Sequence, residues 1–365
     1  MSGFSRRQFL QAAAASLAVP SFQLVAQSQP KKWFPGHYLY TVPFGSMVGM
    51  NSVNVQRTEY VRTNPNFRGY KGLYYWASLE PTMNNYDFSM ITRDLDIARS
   101  HGKKLIVQIQ DRQFSTSAPD PVPAYVKTST YGGGMYTTAR GKYPTFWNAN
   151  LGNRFSALFT ALGAAIDDDD ALSLIQIEET AMSDVQLQAG YTNTGYAESF
   201  RKVNEAASIA FPKTIFIQFV NYPGGMTTAQ TDTLMHQIVN VYKNGFGGPD
   251  IFNYENRAAL DYVFGKYYLM YKGIAPISHS GQTPGFKFRT AREHYDYVIN
   301  MLNANFCSWV PVELSWATSP VFSIHDVIAV INAENGRVNF EPPSNVIAST
   351  EPQPFSSPTD VRLLQ

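Results

Sequence analysis

Past Pro35 the chain alternates short runs rich in β-branched and aromatic residues with longer stretches whose apolar residues recur every three or four positions. The first kind predicts strands at "HYLYTVPFG", "YKGLYYWASLEP", "KKLIVQIQDR", "ALSLIQIEET", "TIFIQFVNYPGG", "PDIFNYEN", "IAPISHSG" and "FCSWVPVELSW". The third is apolar almost throughout, as a strand covered on both faces should be. Between them "SMITRDLDIARSHG", "NRFSALFTALGAAI", "AESFRKVNEAASIAF", "TLMHQIVNVYKNG", "ALDYVFGKYYLMYKG" and "AREHYDYVINMLNA" predict helices, the first stopped by Gly102. Only "SVNVQRTEYVRT", between the first two strands, makes a poor helix. Eight strands separated by helices predict an α/β chain closed as a (β/α)8 barrel, one domain with long loop insertions.

Three segments stand outside that rhythm. Residues 113–144, rich in Gly, Ser, Thr, Tyr and Pro, are too long for a passive connector, and their "YGGGMY" reads as a flap over a cleft. The Pro- and Ser-rich residues 341–365 read as a tail. Residues 1–30 have Arg6-Arg7, a short apolar stretch and small residues near Ala26, the layout of a twin-arginine export signal. That stretch is too short to span a bilayer, so the expectation is a periplasmic or secreted barrel over residues 31–340 with no stable membrane anchor.

Charge and composition narrow the chemistry. With 29 basic and 28 acidic residues the chain has no basic stripe, which gives a nucleic-acid partner no electrostatic support. The single cysteine, Cys307, excludes an internal disulfide and reads as an inert core thiol. No His/Cys cluster has zinc spacing, no Gly-rich phosphate loop opens a helix, and no Gly-x-Ser-x-Gly elbow is present, so no metal or cofactor is expected. The 24 Phe, 22 Tyr and 5 Trp exceed what a core alone needs and suit a cleft that stacks flat ligands such as sugar rings.

A barrel of this kind builds its site from residues at the carboxyl ends of the strands. Those ends carry Trp76 and Glu80, then Gln110, Asp111 and Arg112, then Glu178 and Glu179. Further along come Asn221 and Tyr222, Asn253, Tyr254 and Glu255, His279, and finally Glu313 and Trp316. Carboxylates and amides among aromatic rings suit glycosidic bond cleavage, in which one carboxylic acid protonates the leaving oxygen while a second attacks the anomeric carbon or activates water.

"WASLEPTMNNYDFSMITRDLDIARSHGKKLIV" resembles a segment of TIM-barrel glycoside hydrolases, especially the β-galactosidase-like members of the large retaining clan. The residues that carry it are Trp76, Leu79, Glu80, Pro81, Tyr86, Asp87, Phe88 and Asp94. The resemblance implies that Glu80 shapes the rim and that Trp76 lines the cleft. It places the acid/base glutamate at the end of strand four, usually after Asn, which implies Glu179 with Glu178 in the amide's place. It puts the nucleophile on strand seven, where this chain offers only His279; Glu313, Glu255 and Asp111 are the candidates to stand in.

The expectation is therefore a glycoside hydrolase acting on a poly- or oligosaccharide. Glu179 is its acid/base, Glu178 the neighbour, and Glu313 or Glu255 the nucleophile or base. Trp76, Asp111, Trp147, Asn221, Tyr222, Tyr254, His279 and Trp316 are the candidate sugar contacts. A carbohydrate-binding barrel without catalysis is the rival, and the acid missing from strand seven is its best support.

Overall fold

The computed structural model describes residues 29–41, 55–221, 224–249, 266–282, 290–311 and 321–349. Its centre is a closed barrel of eight parallel strands. In order around the ring they are β1 (Gly36–Tyr40), β2 (Phe67–Tyr75), β3 (Lys104–Gln110), β6 (Leu172–Ile177), β7 (Ile215–Phe219), β8 (Gly245–Gly248), β9 (Ile277–Gly281) and β10 (Phe306–Trp309), which returns to β1. Helices lie between them, so the predicted (β/α)8 barrel is the architecture. The insertion after β3 carries a two-stranded antiparallel hairpin, β4 (Met135–Thr138) with β5 (Gly141–Pro144). The hairpin is tied back to the barrel by paired backbone bonds between Gln113 and Lys142.

The helices follow from local signals. α2 (Ser89–Ser100) buries Ile91, Leu95 and Ala98 at helical spacing, and Gly102 ends the segment at φ +65°. α3 (Ala149–Ile166) starts at Asn148, whose side chain accepts from the amides of Asn150 and Leu151. It packs closely on α4 (Asn193–Ala210), because a Cβ on Gly163 would stand 2.2 Å from the Ala210 carbonyl oxygen. α5 (Thr228–His236) opens with a capping box of Thr227 and Gln230. α6 (Ala291–Asp296) and α7 (Ile324–Ala333) complete the outer layer.

Three elements differ from the sequence expectation. The weakly periodic stretch before β2 is helical, α1 (Val55–Thr63). α7 was not anticipated, although Ser323 and Asp326 form a capping box ahead of its apolar run. The sixth barrel strand is β8, "GFGG", and not "PDIFNYEN", of which residues 250–256 lie outside the described residues. Three glycines in four positions hide this strand from any propensity reading. Two of these glycines are required by packing: a Cβ on Gly247 would lie 1.8 Å from the carbonyl oxygen of Ser278 on β9, and one on Gly245 would lie 2.5 Å from that of Pro276. Gly247→Ala is expected to cost about 3 kcal/mol of stability through overpacking, read as a lower urea midpoint.

Side-chain alternation divides each strand between two environments. Tyr38, Ile106, Leu174, Ile215, Ile217, Phe219 and Phe306 point inward and fill the lower barrel, with Trp33 and Val346 packed against them. Leu105, Val107, Ile109, Ile175 and Ile177 point outward into the larger core under the helices. Cys307 is buried in that outer core, where burial pushes its thiol well above the usual range. At the N-terminal end, the start of the barrel and the tail are bonded together, Lys31 N to Ile347 O and Ser349 N to Lys31 O. No helix among the described residues is long and apolar enough to cross a membrane. The segment read as an export signal lies outside the described residues up to residue 28.

Candidate active site

Above the apolar floor the barrel interior turns polar, and it does so by parity. The inward positions of β3 and β6 change from Ile106 to Gln108 and Gln110, and from Leu174 to Gln176 and Glu178. Gln176 donates to Gln108 Oε1 at 2.8 Å, and Gln108 in turn donates to Glu178 Oε1. Gln110 adds a second amide donor to the same oxygen at 2.7 Å. Oε1 is therefore fixed by two amides of β3, while the carboxyl as a whole lines a pocket at the C-terminal mouth. Tyr40, Leu73 and Tyr75 form one wall of that pocket, and Arg112, Gln113, Phe114 and Gln282 the rest. The Tyr40 hydroxyl bonds Ser280 Oγ at 2.5 Å, which sets the ring's position on the wall.

Burial holds the Glu178 carboxyl above its ordinary pKa; Arg112 opposes this and the charge of Asp111 reinforces it. Such a group keeps its proton toward neutral pH, which is what a general acid requires. Glu179 is as buried as Glu178 but is held differently, accepting from the Asn221 side-chain amide at the end of β7. Thr180 and Asn221 lock these two strand ends together, Thr180 Oγ1 donating to Asn221 O at 2.6 Å.

Four sequence candidates need correction or relocation. Trp76 does not line the mouth. It is fully buried on the outer side of β2, 4.9 Å from the ring of Phe155 on α3, because the inward parity of that strand belongs to Leu73 and Tyr75. Asp111 is not free to meet a ligand, since both its oxygens accept from Arg112, at 3.0 and 2.7 Å, and it is that arginine which lines the pocket. His279 is not at the mouth either. Ser278 and Ser280 take the inward positions of β9, and His279 points outward, fully buried, its ring 5.1 Å from His294 and 5.6 Å from Trp309. Trp147 stands in a row of rings with Tyr136 at 5.6 Å and Tyr191 at 5.5 Å, beside the hairpin. Tyr222, Asn253, Tyr254, Glu255, Glu313 and Trp316 lie outside the described residues.

Sequence reasoning passed over Tyr40, Tyr75, Gln108, Gln282 and Lys71. A usable signal was present, since a glutamine at every second position of an otherwise apolar strand marks a polar inward face. Among the described residues no three His, Cys, Asp or Glu side chains gather to hold a metal ion.

No protein-family model matches the chain, and no curated protein matches it. Solved structures do. Endoglycoceramidase II from Rhodococcus sp. superposes with a TM-score of 0.50 at 14% identity, over 80% of this chain and 76% of that one. The catalytic domain of a β-amylase from Paenibacillus polymyxa reaches 0.56 at 7% identity, over 83% of this chain and all of its own. Xylanase 10B from Thermotoga petrophila reaches 0.52 at 10% identity, over 82% and 95%. The likeness is one of fold.

Glu80, the acid of the Leu-Glu-Pro motif, has a structural task. Its Oε2 accepts from Trp76 Nε1 at 3.0 Å, and its Oε1 takes the amide of Asn84 at 3.0 Å and an ion pair from Arg154 on α3. The motif thus ties the turn after β2 to the outer layer. Glu80→Ala would strip Trp76 Nε1 and the Asn84 amide of their acceptor and Arg154 of its ion pair, and the expected loss is about 3 kcal/mol in urea unfolding.

Proposed function

We propose that this chain is an exported glycoside hydrolase that cleaves O-glycosidic bonds of a poly- or oligosaccharide, with Glu178 as the proton donor. One observation carries the reading: a buried carboxyl at the C-terminal end of β6 is anchored through one oxygen by two amides and lines a mouth pocket walled by aromatic rings and amides. Rings such as Tyr40, Tyr75 and Phe114 offer apolar faces to a sugar's C–H groups, while Gln113 and Gln282 match its hydroxyls. The solved barrels that the chain resembles, a glycoceramidase, an amylase and a xylanase, support the same reading. Relative to the sequence expectation, the weight moves from Glu179 to its neighbour. Glu179, oriented by Asn221, is the second group of the proton-transfer end.

The opposing carboxylate comes from Glu313 or Glu255, four residues after β10 and seven after β8. It acts on the anomeric carbon as nucleophile, or on water as base. Reducing-end release from a panel of aryl glycosides and oligosaccharides tests the assignment, with wild type compared against E178Q, E179Q, E255Q and E313Q. Loss of turnover at a β6 glutamate and at one of the two opposing positions is the expected pattern. Saccharide binding by a wild type that turns over nothing in the panel would replace the hydrolase by the non-catalytic carbohydrate-binding barrel.

A further inference from the structure

Among the described residues, the barrel interior holds a basic group that neither the core nor the proposed mechanism accounts for. Lys71 sits midway along β2, fully buried, and its amino group has no hydrogen-bond partner. The nitrogen lies 4.5 Å from the centre of the Tyr40 ring and 4.9 Å from that of Phe219. Its backbone is in register with Ile106 and Leu174 of the floor, and its amino group ends between the Phe219 ring of that floor and the Tyr40 ring of the pocket wall.

As a structural element this lysine is a liability. Burying an ammonium without an acceptor is unfavourable, and the two ring faces offset only part of that penalty. An unbranched apolar side chain such as Met would fill the same space without that penalty. The groups around it explain what the lysine can do. From β1 it meets Tyr40, from β7 the Phe219 face, and from β6 the charge of Glu178. His279, on the outer side of β9, feels its charge and is itself neutral by burial. Glu178 is faced in turn by Gln108 and Gln110, by the Arg112–Asp111 pair and by Lys71.

We propose that Lys71 is a positioning residue for the proton of Glu178, its amino group acting from the barrel axis beneath the pocket to govern whether that carboxyl is occupied. The inference rests on the role proposed for Glu178. Burial drives the amine toward its neutral form and the carboxyl toward its acid form, and each group's charge favours the other's charged form. The two therefore titrate as a linked pair. Charging Lys71 releases the Glu178 proton, and discharging Lys71 retains it.

Two measurements that need no substrate test this in the full chain. The infrared carboxyl band of Glu178, isolated as the difference between wild type and E178Q, gives its titration midpoint. The ε-carbon shift of 13C-labelled lysine gives that of Lys71. In K71M the carboxyl midpoint is expected to rise by about one pH unit or more. In E178Q the amine midpoint is expected to fall by a similar amount, since linkage is reciprocal. K71M should also melt at a higher temperature than wild type, whereas a lysine retained for stability would give a lower one. On substrate, the alkaline limb of the K71M rate profile should move up with the carboxyl. Unmoved midpoints overturn the proposal, and if K71M does not fold, the amine midpoint in E178Q decides alone. Coupled titration in a protein without turnover leaves the Lys71–Glu178 link standing and removes the hydrolase reading instead.

Discussion

An E178Q protein is expected to hydrolyse glycosides about a hundred- to ten-thousand-fold more slowly than wild type, with KM little changed. Glutamine has the shape of the acid it replaces, so its amide oxygen can still accept from Gln108 and Gln110 and the pocket keeps its wall. What disappears is the proton for the leaving oxygen, a contribution made only as the glycosidic bond breaks. The loss should therefore depend on the leaving group. Aryl glycosides whose phenolate departs unaided should lose little, and alkyl or sugar leaving groups should lose the full amount. The wild-type rate should also fall as pH rises through the Glu178 pKa, because the acid form is the working form and burial holds that pKa above the ordinary carboxylate range. Equal rates for E178Q and wild type on a poor leaving group would remove Glu178 as the donor. E179Q in the same assay tells whether the carboxyl held by Asn221 shares the task.

The barrel was legible because its signal is redundant: seven of the eight strands fall where apolar runs predict them. The eighth, β8, is invisible since its residues were selected by closeness of approach to β9, a tertiary demand that leaves glycine and erases β propensity. The site was legible only in part, and the errors share one cause. Trp76, Asp111 and His279 were chosen for their chemistry at strand ends, but each stands on the outward parity of its strand, next to an inward residue that does line the mouth or its floor. Tyr75, Arg112 and Ser280 are those neighbours. Parity is fixed once any one inward residue of a strand is known, so the Gln108–Gln110 and Gln176–Glu178 spacings carried the missing information. Lys71 is a different kind of omission, since a single lysine in "RGYKGLYY" reads as a solvated charge until the barrel closes around it.

Acid should unfold this protein more steeply than its carboxylates alone require. His37, His279 and His294, three of the six histidines, are fully buried around Trp309 on the outer side of β9 and β10. Burial holds His37 and His294 down at about 3 and His279 well below 6.5. His37 is moreover fixed as the neutral form, its Nδ1 accepting from Trp309 Nε1 at 3.1 Å while Nε2 faces the Arg337 carbonyl at 3.2 Å. Among the described residues the rings of Trp309, Phe322 and Tyr295 and the Cys307 thiol surround the cluster, and Lys71 beyond the sheet opposes a charge on His279. The sign follows. Above about pH 6.5 the histidines are neutral folded or unfolded and contribute nothing to the pH dependence. Below it the unfolded chain takes up three protons that the folded chain refuses, so stability falls until the folded pKa values are reached. At pH 5 the loss is about 2 kcal/mol for each histidine and about 6 kcal/mol for the three. Urea midpoints measured from pH 8 to pH 4 should be level at first and then drop, and His279→Leu should remove about a third of the slope between pH 6.5 and pH 5. Parallel curves for wild type and His279→Leu would show that His279 is already protonated in the folded barrel, and the neutral cluster behind β9 would have to be given up.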